Sequence, residues 1–219
     1  SRTKDTKTFS KDYRDNIVKS IKNKQCEIID IDKTNKKTYA PQLYDLTELQ
    51  RDANKYYGYS AKETLSLMQS LYEHHKVLTY PRTDSRYISS DIVDTLADRV
   101  KVCASGQFSK FCMKILRNSI KGNKAFVDNS KVSDHHAIIP TEQMPNLNSF
   151  SDKETKIYNL VVKRFLSVLL PPYEYEQTTI TVKIGTEIFS AKGRRVLVPG
   201  FKELFDNFDE DDDTNSTQN

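Results

Sequence analysis

The chain has 219 residues, enough for one large domain or two smaller ones, and its 37% apolar content is low but sufficient for a core. No run approaches 18 consecutive apolar residues, and Ser1-Arg2-Thr3-Lys4-Asp5 lacks the apolar stretch of a secretory signal, so neither a membrane-spanning helix nor a leader is expected. The formal charge of +4 conceals an asymmetry: Lys202–Asn219 holds seven acidic residues and one basic, which leaves +10 on residues 1–200, a balance compatible with a polyanionic partner.

The absence of an initiator Met leads to the expectation of a piece cut from a longer polypeptide. Cys26, Cys103 and Cys112 are too few and too scattered for a zinc site or a disulfide framework, which points to a reducing, cytoplasmic setting. The acidic 206–219 segment, ending in Thr214-Asn215-Ser216-Thr217-Gln218-Asn219, reads as disordered linker.

In chain order, residues 10–24 space Tyr13, Ile17, Val18 and Ile21 as a helix does. Two short strands, Cys26 to Ile31 and Thr38 to Leu43, are expected around a polar Asp32–Lys37 turn. Thr47 is the expected cap of a helix running to about Tyr57, with Gly58 ending it. Ser60-Ala61-Lys62-Glu63 has capping-box spacing and opens a second helix with Leu65, Met68, Leu71 and Tyr72 on one face. The tight Gly58-Tyr59 link makes the pair resemble a helix-turn-helix. Further helices are expected after Ser90 and over 107–121. Ser151-Asp152-Lys153-Glu154 caps another, which carries Ile157, Leu160, Val161, Phe165 and Val168 and stops before Pro171-Pro172. Thr178–Ile184 then alternates as a strand, Gly185 turns, Glu187–Ala191 answers, and Arg194–Val198 is a candidate third strand. The fold class is therefore α+β and mainly helical, laid out as a helical domain inserted into a β-rich one.

Two segments carry candidate chemistry. In Leu78-Thr79-Tyr80-Pro81-Arg82-Thr83-Asp84-Ser85 a tyrosine, a turn-fixing proline and an arginine stand close together. A neutral tyrosine is a poor nucleophile, with an ordinary pKa near 10, and a nearby cation favours its phenolate and grips a phosphate under attack. In Asp134-His135-His136-Ala137-Ile138-Ile139-Pro140-Thr141 the adjacent histidines point apart on a regular element, so a shared metal is not expected and one histidine serving a phosphate fits better. His74-His75 suits a helix C-terminus and solvent.

Taken together with Leu43-Tyr44-Asp45-Leu46-Thr47-Glu48-Leu49-Gln50-Arg51, these two segments follow, in order and at matching distance, the motifs of type IA DNA topoisomerases. Glu174-Tyr175-Glu176-Gln177-Thr178-Thr179 and Phe189-Ser190-Ala191-Lys192-Gly193 are also similar, and the resemblance covers nearly all of residues 1–205. Pro81 and the Ile138-Ile139 pair look more like bacterial topoisomerase III than topoisomerase I.

The resemblance implies that Tyr80 forms a 5′-phosphotyrosyl link with single-stranded DNA, that Arg82 orients the attacked phosphate, and that His135 contacts the phosphate. Thr83, Asp84, Ser85 and His136 would contact DNA or shape the site. It further implies an ATP-independent, nucleoid-associated bacterial isomerase whose Mg²⁺ is bound by a separate Toprim domain of the same polypeptide, with no metal site in this piece. By the same likeness, 1–44 and 172–205 form the two parts of a β-rich arch domain and 45–171 a helical gate domain, in a monomer with no membrane partner. Tyrosine recombinases place several Arg and His before their tyrosine, and relaxases separate their histidines by a hydrophobic residue, so neither fits. A non-catalytic single-stranded DNA-binding module is the alternative from another class.

Overall fold

The computed structural model describes residues 10–205, so the acidic segment expected as disordered linker lies outside them. Helix and sheet are mixed, and the described chain divides into two compact units, 10–37 with Glu174–Val198 and 38–173 with 199–205.

The first unit begins with helix α1 (Lys11–Ile21), capped by the Ser10 hydroxyl, which accepts from the Tyr13 amide at 3.3 Å. Strand β1 (Cys26–Thr38) is one uninterrupted 13-residue element, where a hairpin with an Asp32–Lys37 turn was expected. That segment contains no glycine or proline, and Asn35 is not followed by glycine, so nothing in it demands a positive φ. Strand β2 (Tyr173–Ile184) pairs antiparallel with β3 (Glu187–Val198) in the register Ile184↔Glu187 to Glu174↔Val198. Gly185 makes the reversal at φ +62°, a conformation glycine adopts without penalty. Arg194–Val198 is no separate strand but the continuation of β3 through Gly193, which sits in register opposite Thr178. The third strand of the sheet is β1, giving the order β1-β2-β3.

In the second unit, α2 (Leu46–Tyr57) is capped by Asp45 and not by Thr47: the extended Asp45 (φ −88°, ψ 176°) accepts from the Glu48 amide at 2.7 Å. Gly58 ends α2 in the left-handed conformation at φ +69°. Ser60 caps α3 (Ala61–Glu73) through the Glu63 amide, but the Glu63 carboxylate turns to Lys153. The inward face of α3 is Thr64, Met68 and Leu71, while Tyr72 is exposed, one position away from the expected stripe. A 3₁₀ segment (Ser90–Thr95) leads into α4 (Leu96–Val102), and a second into α5 (Ser109–Leu116).

Helix α6 (Asp152–Leu169) ends before the Pro171-Pro172 pair and closes a reciprocal capping box between Ser151 and Glu154. It packs on α2, α3 and α5. Its Ile157, Val161, Val162, Phe165 and Leu166 are buried, as are Leu49 and Ala53 of α2, Met68 and Leu71 of α3 and Phe111 of α5, the helices it packs on. Each large apolar side chain so buried contributes roughly 1.5–3 kcal/mol. Residues 199–205, expected with the β-rich part, group with the helices because Phe201 and Leu204 are buried. Gly200 allows this return: at φ +52°, a Cβ there would lie 2.3 Å from the Pro172 carbonyl oxygen.

Glu154 ties α6 to α3, accepting from the Ser70 hydroxyl at 2.6 Å while holding the Ser151 amide at 2.7 Å. Burial works to raise its pKa, but the bonds from Ser70 and Ser151 and the neighbouring His75 outweigh it and lower the carboxyl from 4.5 to about 2. A depressed carboxylate stabilises the fold fully above its unfolded value and loses that contribution as pH falls from 4.5 toward 2. Glu154→Gln is expected to lower stability at neutral pH by roughly 1–2 kcal/mol. In chemical denaturation it also flattens the acid-side decline of stability over that window.

Candidate active site

Three sequence-distant segments build one scaffold. Residues 77–79 run antiparallel to 139–141: the Thr79 amide donates to the Ile139 carbonyl at 3.0 Å, the Thr141 amide to Val77 at 3.0 Å, and Leu78 bridges Pro140. The Thr79 hydroxyl reinforces the pairing, donating to the Ala137 carbonyl at 3.1 Å and accepting from the Ile139 amide at 3.0 Å. On the other side, the Ile138 amide donates to the Tyr44 carbonyl at 2.8 Å.

Beyond Tyr80 the chain is held just as closely. The Leu46 amide donates to Thr83 at 3.1 Å, the Thr83 hydroxyl to the His135 carbonyl at 3.0 Å, and the Ser85 hydroxyl to the Lys131 carbonyl at 2.8 Å. Arg86 binds the buried cap Asp45 at 2.7 Å and Glu48 at 3.2 Å, which raises its pKa and keeps it charged. Thr83 and Ser85 are buried, and their hydroxyls serve protein carbonyls. Arg82 and Asp84 are exposed and make no hydrogen bond or ion pair among the described residues.

Tyr80 is half-buried on this scaffold. Its ring lies 4.1 Å from that of His135 at 33° and meets the edge of Tyr72 at 5.6 Å, and its hydroxyl has no hydrogen bond among the described residues. It opens into a recess of about 360 Å³ shared with Thr79, Ser89, Asn129, His135 and His136. A second recess, of about 530 Å³, takes in Arg82, Thr83, Asp84, Asp45 and Leu65. Ser133, Asp134 and His135 line both, so this short loop is a wall between the tyrosine and the arginine. Tyr80 and Arg82 therefore face different recesses, with His135 common to the two.

The two histidines differ. His135 is exposed; His136 is half-buried with Nδ1 2.7 Å from the Ala137 carbonyl oxygen. Burial is the main cause that lowers the pKa of His136, with Arg99 adding to it and the bond to Ala137 opposing. Among the described residues no group of three His, Cys, Asp or Glu side chains is placed to hold a metal ion. Asp211-Asp212-Asp213 lies outside the described residues.

Sequence reasoning had given no role to Tyr72, Ser89, Asn129 or the Thr79 hydroxyl. Only Thr79 had a readable signal, its place beside the tyrosine; the others reach the site through tertiary packing.

The family profile for DNA topoisomerase matches residues 1–219. The chain belongs to the DNA topoisomerase family. Among its relatives, the DNA topoisomerase 3 of Bacillus cereus is 60% identical over 208 residues, 95% of this chain and 28% of that protein. That of Bacillus subtilis is 51% identical over 212 residues, 97% of this chain and 29% of that protein. These relatives bear out the resemblance to bacterial topoisomerase III within the type IA group. The chain spans less than a third of their length. Full-length topoisomerase I from Thermotoga maritima superposes with a TM-score of 0.66 over 93% of this chain and 33% of that one, at 20% identity, and so speaks for the fold. Among the described residues, no helix is long and apolar enough to cross a membrane.

Replacing Thr79 by valine keeps the shape of this topoisomerase segment and deletes the hydroxyl that joins its two strands. The Ile139 amide then loses a buried acceptor, so Thr79→Val is expected to lower stability by about 1–3 kcal/mol in urea unfolding. Hydrogen exchange at that amide should speed up.

Proposed function

We propose that this chain is the nucleophile-bearing part of an ATP-independent type IA DNA topoisomerase that opens and rejoins single-stranded DNA through Tyr80. The observation that carries the reading is Tyr80 itself: a ring held between His135 and Tyr72, a hydroxyl with no hydrogen bond among the described residues, and an open recess in front of it.

The reaction is a transesterification. The Tyr80 phenolate oxygen bonds to a backbone phosphorus, the bond from phosphorus to the deoxyribose 3′-oxygen breaks, and that oxygen leaves with the electron pair and takes up a proton. The 5′-phosphotyrosyl link conserves the free energy of the phosphodiester, so the 3′-hydroxyl reseals the strand by the reverse step without a nucleotide cofactor. Another strand passes meanwhile, giving relaxation or decatenation. Catalysis in such a transfer comes from positioning and from charge placed where it develops.

Arg82, exposed and free of carboxylate partners among the described residues, is suited to grip the phosphate with its planar fork. His135, on the wall between the recesses, contacts the same phosphate from the other side, and Asp84 lines the path of the strand. Single-stranded DNA is held by phosphate contacts and stacking with little base readout. The magnesium-dependent part belongs to the Toprim domain, and no step above passes through it. By the family likeness, the helical unit of 38–173 with 199–205, which holds the helix-turn-helix-like pair, serves as the gate domain, and 10–37 with Glu174–Val198 belongs to the arch domain.

The test uses the full-length protein, mixed with short single-stranded DNA and Mg²⁺, quenched with denaturant and digested for mass spectrometry. A DNA adduct on Tyr80 is expected, absent from Tyr80→Phe although that variant still binds DNA. The 219-residue chain alone is expected to give no adduct. Binding without an adduct under any condition would leave a non-catalytic single-stranded DNA-binding module as the better reading.

A further inference from the structure

We propose that His136, not the stacked His135, is the proton acceptor of the Tyr80 recess. The inference rests on the Tyr80 reading above and deepens it by naming the group that receives the phenolic proton.

The tautomer of His136 follows from its hydrogen bond. A backbone carbonyl only accepts, so the 2.7 Å contact between Nδ1 and the Ala137 oxygen places the proton on Nδ1. Burial disfavours the imidazolium, as does Arg99, so the ring is neutral near pH 7 and Nε2 carries a lone pair. The ring lines the same recess of about 360 Å³ as Tyr80, a polar space roomy enough for a water able to relay a proton.

The other polar groups of the recess are less suited. The His135 ring is stacked on the Tyr80 ring, with centroids 4.1 Å apart and planes tilted by 33°, so it is engaged in holding the tyrosine ring. Asn129 spends both amide atoms on Ser90, accepting from its amide at 2.8 Å and donating to its hydroxyl at 3.1 Å. The Thr79 hydroxyl is held between two backbone groups. A neutral Nε2 lone pair also repels an anionic phosphate oxygen, which sets His136 apart from a phosphate anchor.

Besides Tyr80, four charged or titratable neighbours act on His136 or share its recess: Asp91 from the 3₁₀ segment favours its protonated form, Arg99 from α4 and His135 from its own loop oppose it, and Asp134 lines the same recess. Arg99 is itself fixed by Glu142 at 2.8 Å and by the Pro140 carbonyl at 2.8 Å, so its influence is built in. In the forward step the Tyr80 proton passes to Nε2, directly or through one water, as the phenolic oxygen bonds to phosphorus. The bond to the 3′-oxygen breaks, and the imidazolium proton returns through solvent to that oxygen. Religation runs the same transfers backward.

The test is single-turnover cleavage of short single-stranded DNA by the full-length protein, read as Tyr80 adduct against pH, for wild type and His136→Gln. Wild type is expected to lose rate as pH falls below the ordinary histidine value of 6.5. His136→Gln should lose that acid limb and run about 100-fold slower at neutral pH, with DNA affinity unchanged. If it cleaves at the wild-type rate with the wild-type profile, or loses DNA affinity in proportion to rate, the proposal fails while the Tyr80 reading stands. No adduct in wild type sinks both. Should the variant fail to fold, wild-type ¹⁵N-histidine spectra decide: a protonated Nδ1 with a bare Nε2 at pH 7 supports the proposal, and a protonated Nε2 overturns it.

Discussion

Everything around the tyrosine depends on one short antiparallel pairing, 77–79 against 139–141, with the Thr79 hydroxyl inserted between the strands. Tyr80 emerges one residue after that pairing and His135 shortly before it, so the pairing sets the distance between their rings. The backbone groups involved are buried among Leu78, Ala137, Ile138 and Ile139, where an unmet donor or acceptor costs on the order of 1–3 kcal/mol. Slippage by one residue would also turn Leu78 outward and Thr79 inward. The site is thus held by the same interactions that hold the local fold.

The next layer supports that pairing from outside. Tyr44, whose carbonyl holds Ile138, gives its own hydroxyl to Asp52, and Arg164 of α6 binds Asp52 at 2.7 Å with its guanidinium 4.1 Å from the Tyr44 ring. Burial raises the Tyr44 pKa further from neutrality, so it remains a neutral donor and never competes as a nucleophile. Tyr158 is likewise buried, and its hydroxyl has no hydrogen-bond partner by geometry, although it lies close enough to the Cys103 thiol to interact electrostatically. Tyr80 differs from both in being half-buried and facing a recess, and from Tyr44 also in having a hydroxyl with no hydrogen bond among the described residues.

A division of labour runs through the 82–86 segment. Thr83 and Ser85 point inward and serve as struts, Arg86 clamps the N-terminus of α2 through Asp45, and Arg82 and Asp84 alternate outward toward solvent and the second recess. The period-two alternation of an extended chain explains why neighbours in one motif have such different surroundings.

Much was legible in the sequence because it rests on local chemistry. Ser60 and Ser151 cap helices, Gly58 and Gly185 take positive φ, and Pro171-Pro172 stops α6, each from a property of one residue or its near neighbours. The family, too, was readable from motif order. A tertiary contact favours Asp45 over Thr47 as the α2 cap, since Arg86 binds it, while β1 runs on in place of a hairpin because no residue in 32–37 forces a turn. The sequence by itself determined the family and the helix caps, breaks and turns, because each rests on motif order or on the chemistry of one residue and its near neighbours. Only the tertiary structure decided that Tyr80 and Arg82 face separate recesses, that Thr83 and Ser85 are internal, and that His136 is half-buried with its pKa lowered, because each depends on hydrogen bonds spanning about fifty residues or on burial by several elements at once.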